Sequence, residues 1–207
     1  MSATIFGSND PAFPRRTLRI RSSAEAAPLM TADRRVKISL TEDELRAVTA
    51  YAATCARCVL PLFELARSED ARPRQAIVAA EAFAAGGRRT AVLRATAWAA
   101  YASAREAESA TAANAAYAAS HVAAAAYLHP LSDAHQVKHI LGAAAHQALA
   151  LELDASGDRD VGEARVRWAA DLASSSVRSV LLRFPLAPLG AGRFNELLCR
   201  LDAQLRD

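Results

Sequence analysis

The chain has 207 residues, of which 52% are hydrophobic and 23% charged, and its formal net charge is +3. These values exclude an acidic disordered chain and a membrane bundle, and the charge is too small to mark a nucleic-acid-binding surface. Ala supplies 52 residues, Gly and Pro 8 each, and β-branched residues are sparse. Close-packed helices are therefore expected rather than an all-β fold.

Of the 25 basic residues, only Lys37 and Lys138 are Lys. Arg suits carboxylate or phosphate recognition, although an Ala- and Arg-rich composition is also what a GC-rich genome encodes. Three cysteines, Cys55, Cys58 and Cys199, cannot pair completely, which speaks against a secreted disulfide scaffold. The N-terminus lacks the basic-then-apolar order of a signal peptide, so a cytoplasmic protein is expected. The stretch from Ser109 to Ser132 carries no Asp, Glu, Lys or Arg. It is mostly Ala, with polar residues and Pro130 inside it, and reads as a buried helix rather than a membrane span.

In chain order, residues 1–35 contain Pro11, Pro14, Pro28 and Arg15-Arg16 and show no helical apolar stripe. They read as an extended or flexible arm preceding an all-α domain over 36–207. Val36 to Leu40 alternate like a short extended lead-in. Thr41-Glu42-Asp43-Glu44 is a capping box, followed by Leu45, Val48, Ala52, Cys55, Val59 and Leu62 at helical spacing. Pro61 is expected to kink or interrupt this helix. A second helix is expected from Pro73 to Gly86-Gly87, a third over 88–108 and a fourth over 110–128, stopped by His129-Pro130. Ser132-Asp133 caps a fifth running to about Leu153. Further helices are expected over 161–172, 175–184 and 193–205. The architecture is a single Ala-rich bundle of seven or eight helices, whose small faces permit axes about 8 Å apart.

All five histidines lie between His121 and His146. On a continuous helix, His135 and His139 fall within about 40° of one another and about 6 Å apart along the axis. No cofactor is expected. Were zinc or another divalent ion bound, its ligands would come from His135, His139 and His121. Cys55-x-x-Cys58 lies inside a helix with no strand before it, unlike a redox motif. In Arg72-Pro73-Arg74, Arg72 is expected to be extended and Arg74 to sit in a first helical turn. Together they form either an anion clamp or partners for nearby acids. There is no phosphate-binding loop, no GxSxG elbow and no dinucleotide fingerprint.

Several segments resemble a known family: Ile38-Ser39-Leu40 with Leu45-Arg46, Ala52 to Ala56, Val59 to Glu64, Arg72-Pro73-Arg74 with Ala76-Ile77, Ala104 to Ala107, Ser120-His121, and His135 and His139 before Leu141 to Ala144. The chain is similar, over residues 36–183, to the immunity-protein-five-like domain of bacterial polymorphic toxin systems. The 1–35 arm, the tail after Pro185 and an insertion around His129-Pro130 depart from that pattern. The resemblance implies an all-α protein that neutralises a toxin, here expected to act by direct binding, while the low charge and the Ala-rich, polar-interrupted stretch leave no nucleic acid or membrane expected as partner. The residues themselves leave a second reading open: a small-molecule-binding protein or enzyme. In it, Arg72 and Arg74 hold an anion and His121, His135 and His139 act as acid, base or metal ligands in one cavity, supported by Glu64 and Arg105.

Overall fold

Thr41 opens the first helix as its side chain dictates. Its Oγ1 accepts from the Glu44 amide at 3.2 Å, and Glu44 Oε2 accepts from the Thr41 amide at 2.9 Å. The computed structural model describes residues 36–207; the arm expected over 1–35 lies outside the described residues. Helix α1 spans Glu42–Ala66, α2 Arg72–Ala84, α3 Ala91–Glu106 and α4 Ala110–Ala125. A 3₁₀ turn over Ala134–Gln136 leads into α5, Val137–Asp154, followed by α6, Arg159–Leu172, α7, Ser175–Leu181, and α8, Arg193–Arg206. The described residues thus form an all-α bundle of eight helices. The lead-in contributes one antiparallel bridge, Lys37 to Leu131: the Ile38 amide donates to Pro130 O at 3.0 Å and the Ser132 amide to Val36 O at 2.8 Å.

Two helices form the centre. Helix α4 packs against α1, α2, α3 and α5, and α5 against α1, α4, α6, α7 and α8. The buried positions of α4 are Ala112, Ala115, Ala116, Ala118, Ala119, Val122, Ala123 and Ala125. A helix that is small and apolar nearly all round can be surrounded, because no neighbour has to stand off from a bulky side chain. The large core residues Phe63, Ile77, Phe83, Leu93, Ile140 and Leu141 sit on its neighbours and fill the space around it. Helix α1 is also long and apolar enough to cross a membrane by length and composition. Its buried face, from Leu45 to Phe63, packs on α2, α4, α5 and α7, as a core helix does.

Three local expectations are corrected. Helix α1 runs through Pro61 to Ala66, with Pro61 on its exposed side. Arg72 is the first residue of α2 rather than extended, since Asp70 Oδ1 accepts its amide at 3.1 Å and draws the chain into the helix. Asp133 caps a 3₁₀ turn, not α5, by accepting the His135 amide at 2.9 Å. His135 therefore lies before α5 and off the wheel on which it was paired with His139.

Candidate functional site

The residues expected to share one cavity fall into separate places. Arg72 is held by Asp70 through Nη2 at 2.7 Å and by Glu106 at 2.5 Å, and Ser103 Oγ donates to the same Asp70 carboxylate at 2.7 Å. The Arg72 guanidinium holds the Asp70 carboxyl well below its ordinary range. Arg74 makes a two-pronged pair with Glu64, at 2.7 and 2.6 Å. An open cleft of about 1020 Å³ beside Arg67, Asp70 and Arg72 is thus lined by guanidiniums already satisfied by acids or carbonyls. Arg72 and Arg74 do not form a free anion clamp. Arg105 is exposed on α3, and His135 is exposed in the 3₁₀ turn.

His121 and His139 do come together, with ring centroids 6.4 Å apart. His121 projects from α4 onto α5 where α5 carries Gly142. A Cβ at that position would lie 2.8 Å from His121 Nδ1 and 2.9 Å from its Cγ and Cε1. The missing side chain is the ring's seat. One turn on, His146 stacks on His121 at 5.3 Å, on Tyr117 at 5.2 Å and on Phe194 of α8 at 4.0 Å. Asn114 Nδ2 donates to Ala110 O, which turns Asn114 Oδ1 toward His146 Nδ1 at 2.8 Å. His146 Nδ1 therefore carries the proton. Tyr101 continues the row of rings at 5.4 Å from Tyr117, and Trp98 ends it at the surface, 6.0 Å from Tyr101.

A cavity of about 520 Å³ opens between α3, α4 and α5, with His121, His129, His139, Trp98, Tyr101, Tyr127, Ser120 and Arg94 in its lining. The rim is fixed by Arg94, whose guanidinium lies 4.7 Å from the Tyr127 ring centre, and by Tyr127 OH, which donates to Thr90 O at 2.6 Å. Burial pulls the His121 pKa down to about 4, with His139 adding to the shift. Burial also lowers His139, with His129 contributing, and holds His146 well below its ordinary value. All three rings are neutral at pH 7. The Nδ1 atoms of His121 and His139 are enclosed and have no hydrogen-bond partner. Ser120 Oγ donates to Ala97 O at 3.0 Å rather than to an imidazole, so no serine–histidine pair forms. With His135 elsewhere, the proposed metal trio does not assemble. Among the described residues no three His, Cys, Asp or Glu side chains are placed to hold a metal ion.

The sequence reading missed Trp98, Tyr101, Tyr127, His146 and Gly142. One signal was available: Arg94, Trp98, Tyr101 and Arg105 recur at i, i+4, i+7 and i+11, a single stripe on a helix. Trp98 is 67% and Tyr101 41% exposed. Arg105 makes no hydrogen bond or ion pair with any described residue.

The described residues thus form a helical bundle with an exposed Arg–aromatic stripe on α3 and a cavity beside it lined by histidines and aromatic rings. Residues 39–176 match the Imm-5 like putative immunity protein family, and the chain belongs to that family. The match ends inside α7, so α8 and its Phe194 contact with His146 lie beyond it. No curated protein and no solved structure matches the chain.

Proposed function

We infer that this protein confers immunity by binding a toxin directly inside the cell that makes it, and that the outward face of α3 is the contact surface. Family membership supports the immunity role. The single observation that supports the surface is the stripe of Arg94, Trp98, Tyr101 and Arg105, with Trp98 two-thirds exposed on a rigid helix. Trp, Tyr and Arg are the side chains that dominate binding energy at protein interfaces. A helix seated on α2 and α4 presents them with little ordering cost. Arg94 and Arg105, which pair with no acid among the described residues, match a toxin surface with acidic groups around an apolar centre. The cytoplasm is the compartment this action requires.

The test is co-expression with each flanking gene of the source genome whose product arrests growth, followed by purification of the complex. The native chain restores growth and co-purifies with the toxin. The pair Trp98→Ala and Arg105→Glu loses both while keeping its helical signal. Full protection by that variant would contradict the assigned surface, and the absence of any complex with the native chain would contradict direct binding.

A further inference from the structure

We propose that the cavity between α3, α4 and α5 is a binding site for a planar aromatic carboxylate. The anionic end rests on the Nε2–H groups of His121 and His139, and the ring lies among Trp98, Tyr101 and Tyr127. This site does not depend on the toxin reading.

The donors follow from how the imidazoles are enclosed. Each Nδ1 is sealed without a partner, that of His121 against Gly142. A sealed N–H with no acceptor is costlier and rarer than a sealed lone pair. The proton of each ring therefore sits on Nε2, which meets no acceptor within the described protein. Both residues line the cavity, with their ring centres 6.4 Å apart, so the two rings serve one open space. Ser120 and Tyr127 have committed their protons to Ala97 O and Thr90 O and cannot substitute for them.

Charge and shape narrow the ligand class. Among the described residues, the lining contains no Asp or Glu and one formally charged side chain, Arg94. A cationic ligand would find no counter-charge there, whereas an anion meets N–H donors and a guanidinium at the rim. The remaining lining is aromatic or Ala, which favours a flat ring. The volume of about 520 Å³ falls within the range of small-molecule sites.

The test is calorimetric titration of the full chain with 2-naphthoate, its neutral analogue 2-naphthamide and the cationic 2-naphthylmethylamine. The expected result is saturable binding of 2-naphthoate with Kd below about 1 mM, the amide about tenfold weaker or worse, and no binding of the amine. His139→Leu removes the preference for acid over amide, and His139→Gln, which keeps an N–H donor, retains it. Should His139→Leu lose its fold by circular dichroism, Trp98→Ala decides at an exposed position: it weakens 2-naphthoate about tenfold. No saturable heat with 2-naphthoate would overturn the proposal. Equal affinity for acid and amide, binding of the amine, or unchanged binding in the deciding variant would overturn it too. Naphthoate binding without toxin binding would leave this site in place and remove the immunity surface; the converse would do the opposite.

Discussion

At the scale of single residues, Gly142 sets the geometry of the site. Two effects of opposite sign meet there. Ala in place of Gly in a helix interior stabilises by about 1 kcal/mol through backbone entropy and propensity. A Cβ at 2.8–2.9 Å from three atoms of the His121 ring must push aside a side chain already stacked on His146. Overpacking of this kind costs about 1–3 kcal/mol, and it wins because the atoms met include Cγ at the root of the ring, so the whole imidazole has to leave its stack on His146. Gly142→Ala is therefore expected to lower the thermal midpoint, and Gly142→Ala in a His121→Ala background to raise it relative to His121→Ala alone. A stabilised single variant would show that the ring is not seated on α5. Cys55 illustrates the contrasting case: it is buried, its thiol pKa is pushed up by that burial, and it packs as a small apolar side chain.

At the scale of elements, α8 is tied into the bundle by charge as well as by Phe194. Arg193 donates to the buried Glu152 carboxylate at 2.8 and 3.0 Å and to Glu163 at 3.0 Å. The Glu152 side chain is 6% exposed, and a Cβ on Gly162 of α6 would collide with it. Arg193→Ala leaves a buried carboxylate without its cation, which costs about 3–5 kcal/mol. Arg200→Ala, on the same helix but half exposed, removes pairs worth under about 1 kcal/mol. Urea denaturation of both variants reads the difference directly; equal losses would contradict the buried role of Glu152. The helices themselves were legible because their signals are local: the capping box of Thr41 with Glu44 opens α1, and Gly86-Gly87 follow the end of α2. The 3₁₀ turn was not, because Asp133 and the bridge to Lys37 decide where α5 begins. Nor were the partners of Arg72 and Arg74. Glu106 and Glu64 are reached only after α1, α2 and α3 have packed, and a charge motif read alone cannot distinguish a clamp from an ion pair.

For the whole molecule, the buried imidazoles make stability depend on pH. An exposed His in the unfolded chain titrates near 6.5. His121 in the bundle titrates at about 4, and His139 and His146 are also lowered. Between those values the unfolded chain binds more protons, so stability rises with pH. It is fully present above about pH 6.5, falls as the pH drops, and for His121 the loss levels off below pH 4. Glu44, held down to about 2 by Arg183, adds a second loss as the pH falls below the ordinary carboxylate range. A thermal midpoint that declines from pH 7 to pH 5 is expected, with a shallower decline in His146→Phe; a flat profile over that interval would contradict the buried, neutral state of the three rings. The same rings support the surface from which immunity is inferred, since the row from His146 through Tyr117 and Tyr101 ends at Trp98. That inference is tested most directly by the affinity of the purified protein for a flanking-gene product that arrests growth when expressed alone. The account predicts a one-to-one complex, weakened by about 2 kcal/mol or more in Trp98→Ala and unaffected by Arg74→Ala, whose side chain is paired with Glu64. No complex, or one indifferent to Trp98 and lost with Arg74, would contradict it.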